Sequence, residues 1–247
     1  MLNLLKNRWE QGTRTSAYPK QPIDLPAPYR GRPLLQADAS DADVATCAAA
    51  CPQEAIDASR RSLDLGRCVF CGLCERATGG SFVRFSQRFE LAVAEASQLV
   101  TQGELPDLAR HAKQHFKKLF GRSLQLRQIS AAGCNACEAD LNVLATPFFD
   151  LARFGIQFVA SPRHADAIVV TGPISRNMRT ATLQTYEAVP SPKVVIAVGS
   201  CALSGGPFRG SPEVSEGLHS LLPVDLFIPG CPPHPRTHLH ALLGFFK

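Results

Sequence analysis

The sequence lacks any continuous apolar run of about 18 residues, the length that a membrane-spanning helix needs. It has no secretory signal pattern, no Ser/His/Asp set, no glycine-rich phosphate loop and no dinucleotide fingerprint. These absences argue against hydrolytic or nucleotide-dependent catalysis by this chain. We expect a soluble or peripheral chain in a reducing compartment, with no catalytic centre of its own.

Cysteine, by contrast, is abundant, with nine in 247 residues, and the expected reducing compartment favours metal binding over disulfides. The net charge of +5 is modest. A basic stretch, "RHAKQHFKKLFGR", is compatible with a nucleic-acid-binding module over residues 110–127, but it lacks aromatic platforms. Because Leu108, Ala112, Phe116 and Leu119 recur at helical spacing, we instead expect a connecting helix with a solvated basic face and no nucleic-acid partner.

Three cysteines in "LGRCVFCGLCERATGGS" have the C-x2-C-x2-C spacing of iron–sulfur ligands, but no fourth cysteine or proline follows them. In bacterial two-cluster ferredoxins the last cysteine of each C-x2-C-x2-C-x3-C-P run ligates the other cluster. Cys51, followed by Pro52, occupies that last position in an upstream run. We therefore predict one [4Fe–4S] cluster on a first cysteine group, Cys51, Cys68, Cys71 and Cys74.

The second cluster of such a module has lost its ligands. Its cysteines would fall near positions 41, 44 and 78, where the chain has Asp41, Val44 and Thr78, so that only Cys47 is left. The segment is interpreted as a former two-cluster module that keeps one cluster.

From residue 123 onward, apolar runs alternate with helical stretches at 137–153 and 177–189. Near-continuous apolar strands separated by helices predict a parallel sheet that is covered on both faces. The strand candidates are "LQLRQIS", "IQFVAS", "AIVVTG", "KVVIAVGS" and "VDLFIPG".

Three of these strands lead into cysteines, and the loops after parallel strands converge at one edge of an open sheet. The sequence therefore predicts a second cysteine group, Cys134, Cys137, Cys201 and Cys231, for a second [4Fe–4S] cluster. A structural zinc protein using the same thiolates is the alternative, although Cys201 and Cys231 are far apart in sequence for a zinc motif.

The motifs "GCNACEAD", "VTGPISRNM", "KVVIAVGSCALSGG" and "PVDLFIPGCPP" resemble the small subunit of membrane-bound [NiFe] hydrogenases of the formate hydrogenlyase type (group 4, complex I-related). This region is also similar to the 20-kDa subunit of complex I. Residues 1 to about 100 resemble the ferredoxin-like subunit of the same complexes through "GTRTSAYPKQPIDLP", "LDLGRCVFCGLCE" and "SQRFELAV". The chain thus resembles two neighbouring subunits fused into one.

The resemblance implies a flavodoxin-like α/β domain that carries a cluster, preceded by a degenerate ferredoxin-like α+β domain with an extended N-terminal arm. The expected boundaries are an amphipathic and extended arm at 1–35, the ferredoxin-like domain at 36–100, a linker helix at 101–122 and the sheet domain at 123–247. Leu2, Leu5 and Trp9 form one apolar stripe in the arm.

The implied function is electron transfer through two [4Fe–4S] clusters to or from a hydrogenase-type or complex I-type large subunit. The implied place is beside membrane subunits, peripheral on the cytoplasmic face of the inner membrane. The C-x2-C at Cys134 and Cys137 favours the hydrogenase branch. A complex I-like quinone oxidoreductase and a nickel-free hydrogenase-related complex remain alternatives.

Overall fold

The structure, a computed structural model, describes residues 2–103, 105, 108 and 123–246, except for the side chain of Leu2. Most of the predicted linker helix, and the whole of the basic stretch "RHAKQHFKKLFGR", lie outside these residues. We refer to residues 2–103 as the N-terminal half and to residues 123–246 as the sheet half. Within the described residues, no helix is long and apolar enough to cross a membrane.

The sheet half is built on five parallel strands. They are β6 (Leu124–Ser130), β7 (Ile156–Phe158), β8 (Ala167–Thr171), β9 (Val194–Val198) and β10 (Leu226–Ile228). From one edge to the other their order is β10-β9-β8-β6-β7, the 2-1-3-4-5 order of flavodoxin-like folds when the five are renumbered along the chain. All residues of the two central strands β8 and β9 are buried, as expected for a sheet covered on both faces.

This topology confirms the predicted flavodoxin-like parallel sheet. Four helices accompany it in the described residues: α4 (Ala136–Val143), α5 (Arg176–Ala188), α6 (Gly199–Ser204) and α7 (Pro235–Phe246). Helix α5 matches the prediction for residues 177–189.

The helix predicted for residues 137–153 is wrong in its second part. Helix α4 ends at Val143, and turns lead to a short 3-10 helix at Leu151–Phe154. Pro147 disfavours helical backbone at the residue before it, and Asp150 adopts a left-handed conformation with φ of 48°. The helical spacing of apolar residues therefore continues past Val143, although the backbone there is no longer α-helical.

The N-terminal half is a small α+β unit. Strands β1 (Pro33–Leu35) and β4 (Val83–Phe85) form an antiparallel pair, and β2, β3 and β5 form a second sheet in that order. Val100–Thr101, at the boundary of the predicted linker helix, is a strand. The remaining elements are α1 (Leu2–Gln11), α2 (Asp41–Ala49), β2 (Ile56–Asp57), β3 (Ser62–Asp64), α3 (Leu73–Thr78) and β5 (Val100–Thr101).

The proline-rich segment between α1 and β1 runs along the sheet half. Ser16 N donates to Phe148 O at 2.9 Å, and the hydroxyl of Tyr18 lies 3.0 Å from His240 Nδ1. Arg236 of α7, which is only 2% exposed, donates to Ser16 Oγ at 3.1 Å. Its guanidinium lies over the rings of Tyr18, Phe148 and Phe149.

Candidate metal centres

The first cysteine group surrounds one internal cavity in the N-terminal half. Cys51 follows α2, Cys68 and Cys71 lie in the loop between β3 and α3, and Cys74 lies in the first turn of α3. All four line the cavity, together with the apolar side chains of Ile56, Leu63 and Phe85, among others. The predicted first group is therefore brought together, although Cys51 is 17 or more positions from the other three.

Backbone N–H groups point at two of these sulfur atoms. Ala55 N donates to Cys51 Sγ at 3.3 Å, and Phe70 N donates to Cys68 Sγ at 3.4 Å. Hydrogen bonds to sulfur are a principal means by which proteins stabilise and tune thiolate-bound clusters. The donor set and its surroundings thus fit a [4Fe–4S] cluster.

The loop that carries this group depends on two left-handed residues. Phe70 has φ of 54° and Gly72 has φ of 73°, and Gly72 is the N-cap residue of α3. Arg30, in the segment before β1, donates from Nε to Phe70 O at 2.6 Å. This hydrogen bond joins the segment before β1 to the loop between β3 and α3, which is called the ligand loop below because it carries Cys68 and Cys71.

Cys47 stays outside the first group. It is fully buried, and its sulfur lies 3.4 Å from Cys74 O and 3.4 Å from Thr78 Oγ1. Val44 is also in the core, whereas the Asp41 side chain is solvent-exposed and pairs with Arg61 at 2.9 Å. Val44 and Cys47 therefore belong to the packed core, and Asp41 forms a surface ion pair.

The second cysteine group lies at the carboxyl edge of the five-stranded sheet, as predicted. Cys134 and Cys137 follow β6, Cys201 lies in α6 directly after β9, and Cys231 follows β10. Burial, with contributions from the nearby thiols of Cys231 and Cys134, raises the pKa of Cys201 to about 11. Each of the four thiols interacts electrostatically with others of the group, so all four lie close together.

Two glycines leave the space that these sulfur atoms occupy. A Cβ atom at Gly199 would lie 2.6 Å from Cys137 Sγ, and a Cβ atom at Gly206 would lie 3.0 Å from Cys201 Sγ. Gly199 also has φ of +83°, which side chains rarely adopt. The backbone therefore approaches this group at distances that only glycine permits.

The two groups differ in exposure. Cys68 and Cys74 of the first group are buried, and none of its members is exposed. Cys134 and Cys231 of the second group are exposed, and Cys137 and Cys201 are half-buried. The first group is internal, whereas the second opens to the surface of the chain.

Five thiols, Cys68 and Cys74 of the first group and Cys137, Cys201 and Cys231 of the second, have a raised pKa and favour the protonated form in the protein alone. Burial, with smaller contributions from neighbouring thiols, raises the pKa of Cys68 to about 12 and of Cys74 to about 11. Burial likewise raises the pKa of Cys137 and Cys231. Thiolates in such places need a bound cation to compensate their charge, as metal or cluster binding supplies.

In the part of the chain that the structure describes, no three His, Cys, Asp or Glu side chains are arranged to hold a single metal ion.

Glu138 is a buried carboxylate beside the second group. Its Oε1 accepts hydrogen bonds from Thr171 Oγ1 at 2.6 Å and from Ser130 Oγ at 2.7 Å. Burial alone would raise the pKa of Glu138, but these hydrogen bonds together outweigh burial and lower it. The sequence pattern did not indicate these two hydroxyl partners, because they lie at the ends of β6 and β8.

The two groups adjoin each other across the junction of the two halves. A surface cavity of about 360 Å³ is bordered by Cys71 of the first group and by Cys231 of the second. On another side, Ser200 Oγ of α6 donates to Cys68 O at 2.7 Å. An antiparallel bridge between Val93 and Phe227 also joins the halves.

Fold and site together define a cysteine-rich α/β protein with the donor sets of an iron–sulfur protein. The family described as NADH ubiquinone oxidoreductase, 20 Kd subunit, matches residues 134–245, which include all four cysteines of the second group. The chain belongs to this family, and the family match leaves residues 1–133 outside it.

Three relatives illustrate the similarity. The chain is 40% identical over 126 residues to a probable membrane-bound hydrogenase subunit of Pyrococcus furiosus, covering 51% of this chain and 75% of that protein. It is 41% identical over 129 residues to formate hydrogenlyase subunit 7 of Escherichia coli, covering 52% of this chain and 51% of that protein. It is 45% identical over 116 residues to an NADH-quinone oxidoreductase subunit of a Roseiflexus species, covering 47% of this chain and 43% of that protein. The chain thus spans about half the length of the last two relatives.

Proposed function

We propose that this chain is an electron-transfer subunit of a multisubunit oxidoreductase and that it holds two [4Fe–4S] clusters. The first cysteine group would bind one cluster and the second group the other. The observation that carries the proposal is the internal cavity lined by four cysteines, which adjoins a second set of four at an open sheet edge. Such clusters supply one-electron storage and transfer at potentials that their surroundings set.

The residues around the two groups are suited to different tasks. Apolar side chains and the backbone N–H groups of Ala55 and Phe70 keep the first group away from water and stabilise its thiolates. The second group presents Cys134 and Cys231 at the surface, where a partner protein has access. The internal group would connect to the electron donor or acceptor of the complex, and the open group would face the catalytic partner.

That partner would be a large subunit that contains the catalytic centre. The hydrogenase and formate hydrogenlyase relatives favour a hydrogenase-type large subunit, with the chain peripheral to membrane subunits on the cytoplasmic face of the inner membrane. The four-part division of the chain at residues 35, 100 and 122, and its origin as a fusion with a ferredoxin-like subunit, belong to the same proposal. The α+β architecture of the N-terminal half supports that origin.

A second candidate is a complex I-type quinone oxidoreductase. The 45% identity to the NADH-quinone oxidoreductase subunit of Roseiflexus favours it. The two candidates assign the same task to this chain and differ in the chemistry of the large subunit.

Two measurements test the proposal. Protein prepared without oxygen should contain about eight irons per chain, four for each cubane. Zinc in place of iron, or about four irons with all eight cysteines intact, would refute the two-cluster assignment.

Co-purification from the native source, followed by mass spectrometry and nickel analysis, identifies the partner. A large subunit with nickel supports the hydrogenase branch, and a nickel-free large subunit supports the alternatives. An active complex without any such subunit would refute the electron-transfer role.

A further inference from the structure

Two serines of α6 reach from the sheet half to the loop of the first cysteine group. Ser200 Oγ donates to Cys68 O at 2.7 Å, and Ser204 Oγ donates to Gly66 O at 2.9 Å. Ser200 is only 1% exposed, so water does not compete for its hydroxyl. Both serines attach α6 to the ligand loop, one helical turn apart.

Ser200 also contacts the second cysteine group. Its backbone N–H donates to Gly230 O at 2.9 Å, and its hydroxyl lies 3.2 Å from the same oxygen. Gly230 directly precedes Cys231, and a peptide bond joins Ser200 to Cys201. Ser200 is therefore hydrogen-bonded to the backbone of Cys68 in the first group. In the second group it is covalently bonded to Cys201 and hydrogen-bonded to the residue that precedes Cys231.

We propose that Ser200 is the residue that couples the two cysteine groups electronically, an inference that rests on the proposed electron-transfer function. The connection runs from Cys68 Sγ along its own backbone to the carbonyl oxygen, across the 2.7 Å hydrogen bond to Ser200 Oγ, and through one peptide bond to Cys201. One electron is lost at one group and gained at the other. No covalent bond is made or broken, and no net proton transfer accompanies the step.

Two features of the surroundings favour this connection over others. The space bordered by Cys71 and Cys231 opens into the surface cavity of about 360 Å³, so no packed atoms fill it. Ser204 reaches Gly66, which precedes Cys68 by two residues, and Ser204 itself follows Cys201 by three. A connection through Ser204 therefore crosses more bonds, although its hydrogen bond is nearly as short.

Ser204 provides a matched control for this reason. Ser204→Ala and Ser200→Ala each remove one hydrogen bond between the same helix and the same loop. A merely structural contribution of these serines would affect both variants in the same way. Ser200→Thr retains the hydroxyl and serves as the conservative variant.

The test uses the full chain with both clusters, prepared without oxygen and compared at equal iron content. Two quantities are measured: the rate of electron equilibration between the clusters after a one-electron pulse, and the exchange part of the magnetic splitting between the two reduced clusters. We expect Ser200→Ala to slow equilibration severalfold and to weaken the splitting. Ser204→Ala and Ser200→Thr should keep the rate and splitting of the unmodified protein.

Unchanged rate and splitting in Ser200→Ala, with both clusters present, would overturn the proposal and leave the electron-transfer function intact. Equal slowing in Ser200→Ala and Ser204→Ala would also overturn it. Absence of a second cluster in the unmodified protein would refute both this proposal and the proposed function. If Ser200→Ala loses iron, Ser200→Thr is measured in its place. Slow equilibration in Ser200→Thr, which keeps the hydroxyl and the full iron content, would contradict the proposal.

Discussion

The two cysteine groups are assembled in opposite ways. Three cysteines of the first group lie within seven residues, from Cys68 to Cys74, and the group is enclosed by apolar side chains. The second group extends over 98 residues, from Cys134 to Cys231, and lies at an open edge. A compact motif can be enclosed by its own loop, whereas a dispersed set depends on the sheet to bring its members together. The dispersed set is consequently the one accessible to a partner.

The largest effect is expected when Cys51 and Cys47, which lie four positions apart, are replaced separately. We expect Cys51→Ser to lose the first cluster, about four of eight irons, because Cys51 lines the cavity. Cys47→Ser should retain all iron, since Cys47 packs against Cys74 O and Thr78 outside the cavity. Iron analysis and electron paramagnetic resonance distinguish the two. Loss of the first cluster in Cys47→Ser alone would show that the ligand set is wrong.

A second substitution affects only the dispersed group. In Gly199→Ala the new Cβ would lie 2.6 Å from Cys137 Sγ, so we expect loss of the second cluster and retention of the first. The matched control is Gly210→Ala, where φ of +84° is nearly the same but no atom lies within 4 Å of the added carbon. The control should cost about 1–2 kcal/mol of folding free energy and no iron. Equal iron loss in both variants would attribute the effect to backbone strain instead of the sulfur contact.

The sheet half should be the more acid-sensitive region because of a buried histidine in α7. Burial, with a contribution from the neighbouring charge of His234, lowers the pKa of His238 to about 3. Between about pH 6.5 and pH 3 the unfolded chain binds a proton that the folded chain does not, so the free energy of unfolding falls as the pH falls. At pH 5 the expected loss is about 2 kcal/mol.

Urea unfolding at pH 7 and pH 5 measures this effect, and His238→Gln is the test variant because its side chain does not titrate. The variant should lose correspondingly less stability between the two pH values. An equally steep pH dependence in the variant would assign the acid sensitivity to other groups.

The smallest effect on stability is expected at α1, which contains no cysteine of either group. Leu5 and Trp9, two members of the predicted apolar stripe, are 68% and 90% exposed, so their replacement by Ser removes no core contact. Stability should change by no more than about 0.5 kcal/mol, and iron content should not change. We expect weaker retention on membranes or membrane subunits, measured by sedimentation. Unaltered retention would show that this apolar surface has no docking role.

Local patterns predicted much of the fold and of the site. The run "LQLRQIS" coincides with β6, and the positions of the strand ends were sufficient to predict that Cys134, Cys201 and Cys231 lie at one edge of the sheet. Contacts between distant segments could not be predicted in the same way. Ser200 and Cys68 are 132 positions apart, and Thr171 and Glu138 are 33 apart, so no periodicity relates the partners. Hydroxyl groups in particular carry no spacing signal, because their partners are backbone carbonyls or single carboxylates.

The segment between α1 and β1 has a consequence for how the chain unfolds. It hydrogen-bonds to the sheet half through Ser16 and Tyr18, and farther along it holds the first ligand loop through Arg30. Releasing this segment removes contacts from both halves at once, so their unfolding equilibria are linked. We therefore expect a chain that begins after residue 35 to unfold less cooperatively than the full chain.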